Sequence, residues 1–559
     1  MLAGLAVVTV LTAGCGFKMA GAPRGAGSGG ANAGATGGSG ATGGTRATGG
    51  SGSSLGGAGG SAVAPCNPCT DFPAIPVIDT PAGGSAPPSD VGAKFGSAGS
   101  GSSSGGPCLT DPEDGSLFPK NWLRPRFALT PGTGEDTFEI RVHADVEAND
   151  LVVYTTAQVW TMPGTIWSAL SANVVDQPIT VSVRGLDSST GAVAQGPRAT
   201  FRIAPADAQG TIVYWTTSGG SALKGFAVGD ESVVTVITPA DTPGQCVGCH
   251  SSTPGGEFIG LSNSSASDNG DLAHIEIRSG KSPAMQPSFL TASALTLLQR
   301  VSQELPVFSP AHWTTGDHVT VFMSADSTSE SGQNTHLDWI DLEAASQTQG
   351  VGWGEFTRTG DPNPAAAYPF ISHDGTKIVY ASAPSANPSG ILQHGDLYTV
   401  EWGNRMGGRA TSLAGADTTT YSEFYPAFSP DDALVAYTRL PDGQNSKSNP
   451  LSEFFVINAS GGTPVRHAAN DPGTCLGTTS PGITNSWPKW SPVATTVGDK
   501  TYYWIIFSST RSGNPQLYVA AVIHTELGLQ TTPALYLWNQ PAAENNHTPA
   551  WDTFSIPLP

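Results

Sequence analysis

The chain has 559 residues, with 25 Lys and Arg against 45 Asp and Glu and a formal charge of −20. So acidic a surface disfavours counterion-release binding to nucleic acid and adhesion to anionic lipid. The length allows two or three domains with real cores, but Gly and Pro crowd the first hundred or so residues, which cannot contribute to one.

Leu2 to Ala13 is a short apolar stretch ending in Leu11-Thr12-Ala13-Gly14-Cys15. It resembles the lipobox of bacterial lipoprotein signal peptides, a plain secretory signal being the alternative. The resemblance implies a signal peptide over 1–14, lipidation of Cys15, and an outer membrane lipoprotein of the cell envelope held to the membrane by its lipid. Beyond it, no apolar run approaches the roughly 18 residues of a spanning helix. Residues 15–64 are Gly, Ala, Ser and Thr with almost nothing to bury, and read as a disordered tether reaching on the order of 40 Å. Residues 65–116 read as a cysteine-bearing spacer.

Export changes how the seven cysteines are counted. With Cys15 lipidated and Cys246 and Cys249 set aside, Cys66, Cys69, Cys108 and Cys475 form two disulfides, with all three pairings open. Cys66-Asn67-Pro68-Cys69 is followed by Thr70 and so lacks the histidine of a haem attachment site.

Residues 117–206 carry four runs of alternating apolar residues: Thr137 to Ala144, Leu151 to Trp160, Ile179 to Val183 and Ala199 to Ile203. Period two with Gly, Pro and Asp between runs predicts half-buried antiparallel strands, and hence a small immunoglobulin- or fibronectin-like β-sandwich.

From residue 207 to 559 the sequence repeats. Pro306-Val307-Phe308-Ser309-Pro310, Pro369-Phe370-Ile371-Ser372, Pro426-Ala427-Phe428-Ser429-Pro430, Pro488-Lys489-Trp490-Ser491-Pro492 and Pro549-Ala550-Trp551-Asp552 recur with prolines 63, 57, 62 and 61 residues apart. Apolar strands follow, such as Lys377 to Ser382 and Asp396 to Val400. These units resemble the propeller repeats of the TolB-like family, which implies an all-β fold ending in a six-bladed β-propeller. Only ten residues follow Pro549, so the last unit borrows strands from Thr211 onward to close the ring.

Gln245-Cys246-Val247-Gly248-Cys249-His250 contains the C-x-x-C-H pattern of c-type haem attachment. In that reading Cys246 and Cys249 anchor one covalent haem c and His250 is the proximal ligand, standing at an anchor-proline position 56 residues before Pro306. The alternative is a disulfide or dithiol beside a histidine. Zinc lacks a second ligand pair. Across the closed ring His547 is the candidate second iron ligand, with Met285 and His274 as rivals. Asp268-Asn269-Gly270-Asp271 reads as a hairpin turn, His373 as a turn residue, and Trp487, Trp490, Trp504 and Trp551 as core. No G-x-S-x-G supports a hydrolase.

The functional expectation is a membrane-anchored haem protein that transfers single electrons or senses redox state with an envelope partner, an electron carrier rather than an enzyme, with a peroxidase as a minor possibility. The alternative is a haem-free propeller acting as a protein- or ligand-binding scaffold.

Overall fold

The structure, a computed structural model, describes residues 66–218, 220–265, 273–326 and 334–559. The signal peptide, Cys15, the tether and the 268–271 turn lie outside the described residues. Among the described residues no helix is long and apolar enough to cross a membrane.

The N-terminal domain is a two-sheet sandwich. One sheet runs in the order Val77–Ile78, Leu151–Thr155, Thr137–His143, Ile179–Asp187, Ala199–Ile203 and Ser116–Phe118, with Ala192–Gln195 added beside Ile179–Asp187. The other holds Cys108–Asp111, Arg126–Thr130 and Val159–Thr161. Alternation does what the sequence requires: Phe138, Ile140 and Val142 point into one core with Phe127, Leu129 and Trp160 of the facing sheet. The helix Gly164–Asn173, which strand periodicity did not announce, packs Ile166, Trp167 and Leu170 into the same core.

The segment read as a spacer is part of this domain. Its strand Val77–Ile78 pairs parallel with Leu151–Thr155, and its helix Val91–Phe95 buries Val91 and Phe95 against Tyr154 and Leu186. Arg184 on the outward face of the sheet pairs with Glu139 at 2.6 Å and donates to the carbonyls of Phe95, Ser97 and Ser100. Few apolar side chains suffice there because a buried, fully bonded arginine holds the cover down.

The remaining residues form a β-propeller. Among the described residues it has six sheets, beginning with the inner strands Asn546–Asp552, Gly244–Ser252, Gln303–Val307, Ala365–Ile371, Tyr421–Phe428 and Asn485–Trp490, each lying against the next around a closed circuit. They are called here the first to sixth sheets in that order. In the first, Asn546–Asp552 pairs antiparallel with Thr211–Thr216, so the end of the chain is spliced to the segment that follows the sandwich.

The sandwich is fused to both sides of that splice. Its core is continuous with Ile212, Tyr214 and Trp551 of the first sheet and with Trp504, Leu517 and Val519 of the sixth. Trp122 packs against Trp551 with ring centroids 5.8 Å apart, and Arg124 binds Glu231 through Nη2 at 2.6 Å. Between described cysteines two disulfides are present, Cys66–Cys69 and Cys108–Cys475, as expected for these four residues, the second joining sandwich to propeller.

Candidate functional site

Every inner strand breaks its pairing register at the same place. The skipped residues are the anchor proline and the residue before it: Leu305-Pro306, Tyr368-Pro369, Tyr425-Pro426, Trp487-Pro488 and Thr548-Pro549. Leu305, Tyr368, Tyr425, Trp487 and Thr548 all have positive φ, from 37° to 60°. A left-handed conformation is costly for such side chains, and it persists because proline cannot supply a ladder N–H and the bulge turns the strand.

In the second sheet the break falls between Val247 and His250, so Gly248 and Cys249 fill the bulge. Cys249, not His250, therefore stands where the other repeats carry proline. Ser252 then aligns with Ser309, Ser372, Ser429 and Ser491, which the one-residue-shifted reading of the motif missed. His250 belongs to a tier made, around the ring, of Ala550, His250, Val307, Phe370, Ala427 and Lys489.

That tier surrounds the propeller axis, where all six inner strands line a cavity of about 320 Å³. Its walls are mainly aromatic and apolar, including Phe308, Phe370, Phe428 and Trp551, with Trp487 stacked on Tyr425 at 3.6 Å. Trp487, Trp490 and Trp551 thus face the cavity as well as the core, whereas Trp504 is wholly buried. The ionisable lining groups are His250, His373, Lys489 and Asp552, with the phenols of Tyr368 and Tyr425.

Lys489 is the residue that motif reasoning overlooked. Its ammonium lies 4.8 Å from the centre of the Phe370 ring, two sheets away around the tier. No described carboxylate or carbonyl is within bonding distance of it. The side chain is enclosed by protein yet touches the cavity space, and this burial draws its pKa down to about 8. Comparing the residue after each anchor proline would have found it: Val307, Phe370, Ala427 and Ala550 are apolar, and Lys489 is not.

His250 sits across Ala550 from Lys489. Its Nδ1 is 3.1 Å from the Gly248 carbonyl and its Nε2 3.1 Å from the Val213 carbonyl. Burial holds its pKa below the usual histidine value, with smaller opposing effects from the two carbonyls and a further lowering by Lys489. Asp552 is pushed up to about 6 by burial. His373 is tied to Asp432 at 2.8 Å, a turn contact as expected.

The residues of the C-x-x-C-H pattern do not fit a covalent haem. They lie on an extended, bulged strand, which sends Cys246 and Cys249 to different surroundings. Cys246 packs in the apolar cluster between the first and second sheets, its Sγ 3.6 Å from Ser221 Oγ, while Cys249 lines the axial cavity. Burial raises the Cys246 thiol, and Cys249 is disulfide-bonded. Both nitrogens of His250 face backbone carbonyls rather than open space.

Among the described residues no second iron ligand is brought to His250 either. His547 packs its ring 6.1 Å from Trp215, is outside the cavity lining, and keeps Nε2 without a hydrogen-bond partner. His274 is buried with Nδ1 2.6 Å from the Gln299 carbonyl, and Met285 is exposed.

No family model matches the chain, and no curated protein matches it. Among solved structures it is similar to hydrazine synthase of Kuenenia stuttgartiensis, at 11% identity over 51% of this chain and 70% of that one, with a TM-score of 0.28. The β-propeller domain of the trilobed protease of Pyrococcus furiosus shares 10% identity over 52% of this chain and 94% of that one, TM-score 0.23. The α-L-arabinanase of Cellvibrio cellulosa shares 12% over 49% and 92%, TM-score 0.24. Likenesses this distant concern architecture alone.

Proposed function

We propose that this chain is a TolB-like, lipid-anchored propeller of the bacterial envelope that works as a binding scaffold, with the axial cavity as its ligand site. The observation that carries this reading is the cavity itself: one axial space lined by the inner strands of all six sheets, with Phe, Tyr or Trp from five of them and a few polar groups, which is the composition of small-molecule pockets. The leader-like residues 1–15 and the Gly-rich tether support display at a membrane surface. The P-x-W-S-P pattern of the repeats supports the family likeness.

The competing reading is one covalent haem on Cys246, Cys249 and His250, passing electrons to an envelope partner. The motif favours it, and the different surroundings of the two cysteines, with Cys249 disulfide-bonded, oppose it. Intact-mass measurement and absorbance of the full chain, produced in a host with c-type maturation, decide between them. The scaffold reading expects the haem-free mass and no Soret band. A mass greater by one haem, lost when Cys246 and Cys249 are both changed to Ala, overturns it.

A further inference from the structure

The tier around the axis sets two basic side chains, Lys489 and His250, on either side of the small Ala550, and completes the ring with Val307, Phe370 and Ala427. Lys489 reaches across the axis to the Phe370 face instead of to an anion. A buried ammonium without a counter-charge is costly, and an ammonium over an aromatic ring recovers only part of that cost. The site is therefore electrostatically incomplete as it stands.

We propose that the axial cavity takes a small monoanion with an aromatic or aliphatic body, a carboxylate in particular, its acid group paired with Lys489 and its body against Phe370, Tyr425 and Trp487. This rests on the reading of the cavity as the ligand site and names the chemical class that the site selects. The apolar remainder of the tier favours an apolar body, and a single ammonium without a nest of backbone N–H groups suits one carboxylate better than a phosphate. Asp552 lines the same cavity, but it is not paired with Lys489 and leaves that ammonium open to the ligand.

His250 adds a second consequence. A neutral imidazole can donate to only one of the two carbonyls that its nitrogens face, whereas the protonated ring donates to both. A ligand carboxylate beside Lys489 offsets the charge that now opposes His250 protonation. Binding of the anion therefore favours the charged forms of both His250 and Lys489.

The test uses the full chain with 3-phenylpropionate and its amide, 3-phenylpropionamide, followed by calorimetry and by tryptophan fluorescence, to which Trp487 contributes. The acid is expected to bind about 10- to 100-fold more tightly than the amide, the range for hydrogen bonds to a charged group. Lys489→Met should remove that preference. Independently of any variant, NMR of ¹³C-dimethylated lysines should show one group that titrates near pH 8 and moves upward when 3-phenylpropionate is added. If acid and amide bind equally and the titration does not move, the anion inference fails while the cavity remains a binding site. If neither compound binds at millimolar concentration, the cavity reading fails and takes the inference with it.

Discussion

Arg511 and Glu113, 398 positions apart in sequence, meet at 2.9 Å with neither side chain reaching solvent appreciably. The arginine leaves the sixth sheet of the propeller and the glutamate leaves the sandwich, so a buried ion pair is part of the joint between domains. Arg511 also donates to the Ala469 carbonyl and to Asn485 Oδ1. Burial raises the Glu113 pKa even against the arginine, as expected where desolvation opposes pairing.

Removing one partner strands the other. Glu113→Ala is expected to destabilise the protein by about 3–5 kcal/mol, because Arg511 keeps its buried charge and loses its carboxylate partner. Chemical denaturation of wild type and variant measures this, and a loss below 1 kcal/mol would show that the pair is incidental to the joint.

The Cys108–Cys475 bridge closes 367 residues of chain. Replacing both cysteines with Ser should lower stability by about 2–5 kcal/mol under non-reducing conditions. Reductant should bring the wild type down toward the variant and lower the variant by less, since only the Cys66–Cys69 bridge and the one at Cys249 are left in it to open. Equal denaturation midpoints without reductant would contradict this.

Acid should unfold the protein partly through His547. Burial holds its folded pKa at about 4, against an ordinary value of 6.5. Between those values the unfolded chain binds more protons than the folded one, so stability falls as pH falls from 6.5 to 4, by up to about 3 kcal/mol. His547→Gln should flatten the midpoint-versus-pH curve across that window, and parallel curves would rule His547 out.

The opposite sign holds for His336, placed 3.0 Å from Glu355 and 2.8 Å from Asp326. Hydrogen bonding to Glu355, against some desolvation, raises its pKa from 6.5 to about 9. Its stabilisation is complete below pH 6.5 and is lost as pH rises through 9. His336→Gln should therefore cost stability at pH 6 and nothing measurable at pH 10, as followed by thermal melting. A penalty that did not change with pH would assign the effect to packing.

Much of the architecture was legible because it rests on repetition and on period-two alternation, both local properties of a sequence. Thr137–His143 and Ala199–Ile203 fall where their apolar alternation puts them, and Asn546–Asp552 closes the ring with Thr211–Thr216 as the short last repeat requires. What escaped is non-local. The 65–116 segment looked like linker because its grip on the sandwich comes from Arg184, more than eighty residues away, bonding to its carbonyls.

The site was harder to read for a different reason. A cysteine spacing says that two sulfurs are close in sequence, and whether they share a side depends on backbone conformation. On a bulged strand Cys246 and Cys249 do not share one. The two-residue bulge also shifts the register by a position, which is why His250 falls in the tier after the prolines. Lys489 stands inside a repeat anchor but in no pattern tied to a chemistry, and becomes conspicuous only when the six strands are laid side by side.

The fusion of the sandwich to the first and sixth sheets has a mechanical meaning. A ring made from one chain is weakest at its splice, and here the splice is clamped from outside by a second domain. Parting the first sheet from the sixth would therefore also expose the apolar cluster that the two domains share, Ile212, Tyr214 and Trp551 on one side and Trp504, Leu517 and Val519 on the other.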